Sequence, residues 1–407
     1  LTGFPLNSIR LSGSLATLAL LVAFTPVLAQ DAQPTPVPLE GIAVTLTAPT
    51  DIVEETPIAV APEATEVAAP VNAVMALPPS VQLEGLSMVW QSLNRCSAGA
   101  LTILLSYYDW EGDYSTTIRG LNPHMDDVSV RLDEMVTFVN GYGLQGIERT
   151  GGTLDLLKIL TANGFPVLVE NSYYDGGDIN RDWMSHNRVI TGYDDAQQIF
   201  YSFDSLLGAG PDGRGRPIPY ADFDERWRPF NRDYFIIYRR GDEPLLQAIL
   251  GEEHWDATAN AEWTLAQAEA ELNGDTPDSY AAFNAGQALV QLGRYEEAAE
   301  YFDRARGTGL PWRMMWYQFG PFEAYLRTER YQDVIDIART VITAHPGVEE
   351  TYYYAGLAYA AQGDIQRAQS NLEVALQRNG GLAAARQALD LINQTGAAPA
   401  MSIAPLR

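Results

Sequence analysis

The apolar rhythm changes along the chain and divides it into segments of different character. Residues 15–29 are a short apolar run that follows Arg10 and ends Val27-Leu28-Ala29 before Gln30. This is the h-region and small-residue cleavage pattern of a secretory signal, and a run of roughly fifteen residues falls short of the ~20 that a spanning helix needs. Residues 30–80 show no period of 2 or 3.6, are rich in Pro, Ala, Thr, Val and Glu, and hold no Lys or Arg, the composition of a disordered linker. Residues 81–245 read as helices first and strands second. An apolar helix is expected over 96–108, with further helices near 128–139 and 154–162, and short β-branched or aromatic runs follow at 165–170, 186–193, 199–204 and 234–238. Segregated helices and antiparallel strands imply an α+β domain. Beyond residue 253 the pattern is wholly helical.

The helical part repeats itself at a spacing near 34–36 residues. Ala285-Gly286, Leu289, Gly293, Tyr295, Ala298, Phe302 and Ala305 recur as Ala355-Gly356, Tyr359, Gly363, Ile365, Ala368, Leu372 and Ala375. A degenerate copy between them keeps Tyr325, Tyr331, Val334, Ala338 and Pro346, but places Glu329 at the turn glycine and Pro321 inside its first helix. These residues resemble the tetratricopeptide repeat (TPR), which implies stacked helix pairs with a concave surface for a protein partner. The expected organisation is a signal at 1–29, linker at 30–80, α+β domain at 81–245, helical connector at 246–276, TPR-like repeats with a capping helix at 277–395, and a tail at 396–407. Trp312, Trp316, Tyr317, Phe319, Phe322 and Tyr352-Tyr353-Tyr354 are either groove residues or inter-repeat core.

Composition narrows the function. Across 407 residues, 52 acidic side chains against 26 basic ones give a net charge of −26, the wrong sign for nucleic acid or an anionic membrane surface. The single cysteine, Cys96, excludes an internal disulfide framework and any multi-thiolate zinc site. No cofactor or metal is expected. The run Asp175, Asp178, Asn180, Asp182 lacks the closing glutamate of a calcium loop, and Gly208 to Gly213 satisfies G-x-G-x-x-G but carries Pro211 where a phosphate-binding helix would begin. His124, His254 and His345 read as surface or repeat-turn histidines. With the signal removed, no stable membrane insertion is expected, and the mature chain is placed outside a bacterial cytoplasm, secreted or at the envelope exterior.

The remaining candidate chemistry centres on Cys96, at the predicted N-terminus of the first helix, where the helix dipole and free amides favour a thiolate. Gln91, five residues upstream, is placed to donate an amide hydrogen to an oxyanion beside the Cys96 backbone N–H. A hairpin turning near Asp195 would set His186 directly opposite Asp204, as base and orienting carboxylate. Trp90-Gln91, Asn94, Cys96, His186, Thr191 to Asp195, Phe203-Asp204-Ser205, Phe223-Asp224, Trp227 and Phe230-Asn231-Arg232 together resemble the C39-like group of papain-fold cysteine peptidases over about residues 84–240.

The resemblance implies a papain-like fold with Cys96 as nucleophile, His186 as general base, Asp204 as its orienting group and Gln91 as oxyanion donor. Two departures stand out: Ser97-Ala98 where many members have Gly-Pro, and Ser205 where many have Pro. The expected fold class is therefore a papain-like α+β cysteine peptidase domain plus an all-α helical-repeat domain. The expected function is a secreted cysteine hydrolase of peptide or protein substrates, with the repeat recruiting a partner. A catalytically inactive extracellular binding protein and an acyl transferase using the same residues remain open.

Overall fold

The computed structural model describes residues 77–122, 124–174, 183–273, 278–397 and 406, all within one compact unit, Val67–Arg407. The expected signal, nearly all of the linker, the acidic run 175–182 and most of the tail lie outside the described residues.

A seven-stranded antiparallel sheet forms the body of the first domain. Its strands are β1 (Ser80–Gln82), β2 (Gln145–Arg149), β3 (Val167–Tyr173), β4 (Met184–Asp194), β5 (Ile199–Phe203), β6 (Arg216–Pro219) and β7 (Tyr234–Tyr238). They run in the order β2-β7-β3-β4-β5-β6, and β1 pairs the far end of β4. Alternation along the strands gives the sheet two apolar faces. Leu168, Val189, Phe203, Phe235 and Ile237 meet helices α1 (Cys96–Ser106), α2 (Tyr114–Leu121) and α3 (Leu132–Asn140). Val167, Val169, Ile190 and Ile236 face α4 (Leu154–Ala162), α5 (Tyr220–Trp227) and α6 (Glu243–Trp255).

The differences from the sequence pattern have local causes. The helix expected near 128–139 begins only at Leu132, because Arg131 is its N-cap and Glu134 closes a capping box on the Arg131 backbone. The Gly208–Gly213 segment is followed by strand β6 and no helix. His254 is buried rather than superficial, bonded through Nδ1 to the Tyr234 hydroxyl at 3.0 Å, and burial holds it down at about 4.

Eight helices follow: α7 (Ala257–Leu272), the pairs α8 (Ser279–Gln291) with α9 (Tyr295–Thr308), α10 (Gly320–Arg327) with α11 (Tyr331–Ala344) and α12 (Glu349–Ala361) with α13 (Ile365–Arg378), and the cap α14 (Ala383–Thr395). Pro321 stands in the first turn of α10 and not in its interior, so the middle copy has a short first helix preceded by a 3-10 segment, Trp312–Trp316. The connector divides between the two cores. Leu246 and Leu250 of α6 join the sheet core, whereas Leu265 and Ala268 of α7 join the repeat core. Phe319, Phe322, Tyr353 and Tyr354 are buried between repeats, while Trp312 is 37% exposed. Among the described residues no helix is long and apolar enough to cross a membrane.

Candidate active site

Arg95 ends the loop before α1 and places Cys96 in the first helical turn. The arginine is buried and its guanidinium donates to the carbonyls of His124 and Asp127, at 2.9 and 3.2 Å, which pins the helix start. Asn94 precedes it in the left-handed region at φ 58°, a conformation that asparagine tolerates better than most side chains. Cys96 is partly exposed. Its thiol faces Asn187 Oδ1 at 3.7 Å, and the same oxygen accepts from Ser97 Oγ at 2.7 Å.

His186 lies near the start of β4 and Asp204 just past the end of β5. They are not directly opposite. The ladder pairs Asp194 with Ile199, Tyr193 with Phe200 and Gly192 with Tyr201, then shifts by one residue so that Ile190 pairs with Ser202 and Val189 with Phe203. The turn therefore centres beyond Asp195, and Thr191 is the bulged residue. After the shift Asp204 aligns with Arg188, two positions from His186 and on the same side of the strand. The diagonal is closed by a 2.8 Å hydrogen bond from His186 Nε2 to Asp204 Oδ1. Arg188 Nη2 lies 3.5 Å from the other carboxylate oxygen.

The electrostatics follow from this placement. Burial pushes the His186 imidazolium down, but the hydrogen bonds and charges of Asp204 and Cys96 outweigh it and raise His186 to about 9. Burial opposes ionisation of Asp204 too. Its bond to His186, the Arg188 charge and the backbone N–H of Leu207 nevertheless hold it at about 2. Burial raises the Cys96 thiol, yet the hydrogen bond and charge of His186 and the backbone of Asn187 leave it below its ordinary value. With Nε2 committed to Asp204, Nδ1 is the ring nitrogen left for the thiol. These shifts all favour a thiolate beside an imidazolium, with a carboxylate behind it.

Gln91 packs toward α1 over Gly99, one turn along the helix from Cys96: a Cβ on that glycine would lie 3.4 Å from the Gln91 Cβ. Its backbone N–H donates to the Ser205 carbonyl at 2.9 Å, and its Oε1 accepts from Ser205 Oγ at 2.7 Å. All four residues singled out by sequence thus gather around the start of α1 and the adjoining ends of β4 and β5. Sequence reasoning missed three neighbours. Asn187, beside the histidine, was open to notice. Glu170 of β3 accepts from Ser185 Oγ, is raised by burial to about 7 and opposes ionisation of Cys96. Tyr317 reaches the site from the repeat and meets the backbone of Ser185, which no local pattern announces. A cavity of about 440 Å³ beside them is bordered by Glu170, Asp233, Tyr317 and Gln318. Among the described residues no group of three or more His, Cys, Asp or Glu side chains is arranged to hold a metal ion.

Residues 75–234 match the model of the family described as Peptidase_C39 like. Two curated relatives are the aryl-hydrocarbon-interacting protein-like 1 proteins of Bos taurus and Mus musculus, 26% and 25% identical over 108 residues that cover 23% of this chain and 33% of theirs. The chain thus spans about a third of the length of these relatives. Among solved structures, a C39-like peptidase from Bacillus anthracis is 16% identical with a TM-score of 0.33, covering 40% of this chain and 98% of its own. MamA of Desulfovibrio magneticus RS-1 is 20% identical with a TM-score of 0.31, covering 33% and 76%. By its family match and its fold, the chain joins a C39-like α+β domain, over residues 75–234, to a TPR-like stack of helix pairs.

Proposed function

We propose that the chain is a secreted cysteine hydrolase that cleaves amide bonds through Cys96, His186, Asp204 and Gln91, and that its repeat recruits a protein partner or substrate. The observation that carries this reading is the buried Asp204–His186 bond of 2.8 Å, whose far side meets the only thiol of the chain. The Cys96 thiolate attacks the scissile carbonyl, forming a C–S bond, and the carbonyl π electrons pass to oxygen. The oxyanion takes hydrogen bonds from the Cys96 backbone N–H and the Gln91 amide. The imidazolium of His186 then gives its proton to the leaving amine as the C–N bond breaks, and neutral His186 activates water against the thioester. Secretion rests on the N-terminal pattern, and partner recruitment on the TPR-like stack with its exposed Trp312.

The test is the rate of Cys96 alkylation by iodoacetamide against pH, in the wild type, in His186→Ala and in denatured chain. A thiolate present well below pH ~8.5 and lost with His186 is expected. A peptide library hydrolysed by the wild type and untouched by Cys96→Ala completes it. An ordinary thiol indifferent to His186 would instead point to an extracellular binding protein on a peptidase fold.

A further inference from the structure

The serine that stands where many relatives have proline makes two hydrogen bonds to one residue of the site. Ser205 accepts from the Gln91 backbone N–H and donates its hydroxyl to Gln91 Oε1. A primary amide holds its oxygen and its NH₂ in one plane, diverging from the same carbon, so fixing Oε1 also fixes where the two N–H bonds point. Without that anchor the amide is free to flip and present its oxygen to an oxyanion.

Ser205 is itself held. Asp204 Oδ1 accepts from the backbone N–H groups of Leu206 and Leu207 at 2.9 Å each, which fixes the turn around it. Gly99 supplies the room: a Cβ there would lie 2.7 Å from Ser205 Cβ and 2.8 Å from its Oγ. The carboxylate that orients the base and the hydroxyl that orients the amide are therefore consecutive residues.

We propose that Ser205 is the positioning residue of the oxyanion site, its hydroxyl holding the Gln91 amide so that Nε2 faces the carbonyl oxygen of a substrate bound at Cys96. This rests on the reading of Gln91 as oxyanion donor and adds the residue that aims it. It also turns the Ser205 departure from a defect into a replacement device, because proline at this position has no hydroxyl to offer.

Two probes separate the parts. An acetyl-dipeptide aldehyde adds to the thiolate, forming a C–S bond and an oxygen that occupies the oxyanion site. Iodoacetamide alkylates the same sulfur at a methylene, with iodide leaving and no oxyanion forming. Gln91→Ala is expected to weaken the aldehyde adduct about 10²-fold and Ser205→Ala about 10-fold, both with the wild-type pH profile of alkylation. Added to Gln91→Ala, Ser205→Ala costs less than about twofold more, because the hydroxyl acts only through the amide. Gly99→Ala, which displaces the hydroxyl while leaving it in the chain, reproduces the Ser205→Ala loss. Wild-type adduct affinity in Ser205→Ala, or a loss fully additive with Gln91→Ala, overturns the assignment while the cysteine hydrolase stands. A wild type that forms no adduct and has an ordinary thiol overturns both.

Discussion

Asp204 and His186 are bonded at 2.8 Å although the hairpin ladder, whose last pair is Val189 with Phe203, brings Asp204 into line with Arg188 and not with His186. The shift at Thr191 decides this. With the register of Gly192 to Asp194 continued unbroken, Asp204 would align with Val189, on the opposite side of the strand from His186. Deleting Thr191 only removes the bulge and keeps Ile190 opposite Ser202, whereas inserting one residue between Val189 and Ile190 would set Asp204 against Val189. The insertion is therefore expected to separate the carboxylate from the imidazole and to return Cys96 to an ordinary thiol, read by alkylation against pH.

The same bond sets a pH window. Cys96 lies below its ordinary value and His186 at about 9, so the thiolate–imidazolium pair forms as the thiol ionises and is lost as His186 gives up its proton. Turnover is expected to rise through the first transition and fall near pH 9. Asp204→Asn removes the anion that keeps His186 protonated. It should move the falling limb toward lower pH and reduce kcat by roughly 10² to 10⁴.

A buried polar cluster joins the two domains. Arg131 Nη1 is 2.6 Å from Glu350 Oε1, while Asn379 Nδ2 donates to Glu349 at 2.9 Å and to Glu134 at 3.2 Å. Burial, then the neighbouring carboxylates, raises Glu349 to about 8, and Glu350 and Asp127 also lie well above the usual carboxyl range. The folded chain thus keeps protons that the unfolded chain loses near 4.5, so this contribution is complete below that pH and is lost as pH rises through about 8. The Tm is expected to fall across that interval. Glu349→Gln should flatten the fall, and a Tm profile unchanged by it would count against the linkage.

The degenerate repeat carries a measurable strain. Gly293 and Gly363 turn the outer helix pairs at φ 72° and 82°, and Glu329 takes the same left-handed conformation at φ 61°. A side chain costs roughly 1–2 kcal/mol in that region. Glu329→Gly is expected to stabilise the chain by up to about 1 kcal/mol, as the relief exceeds the added chain entropy. Urea unfolding, followed by helical circular dichroism, measures it.

Much of this molecule was legible in the sequence because its signals are local. A period near 35 residues with small residues at fixed places specifies helix pairs whatever surrounds them, and even the degenerate copy kept its turn position. Cys96 at a helix start and Gln91 five residues ahead follow from chain order alone. The short elements β1, β2 and β6 escaped notice because Ser-Val-Gln, Gln-Gly-Ile-Glu-Arg and Arg-Pro-Ile-Pro lack the aromatic and β-branched runs that marked β5 and β7. His254 was misread because burial is set by the elements packed over a residue and not by its neighbours in sequence.

The candidate site divides the same way. Sequence named the thiol, imidazole, carboxylate and amide, since each stands in a recognisable local setting. It placed His186 and Asp204 in direct opposition, and only the folded sheet introduced the bulge at Thr191 that makes the contact diagonal. Likewise the Ser205 hydroxyl, the Asn187 side chain beside Cys96 and the approach of Tyr317 from the repeat were settled by tertiary packing. The physical reason is one of range: helix periodicity and turn chemistry act over a few residues, whereas strand register and hydrogen bonds between distant segments are fixed only when the whole sheet and the helices against it close together.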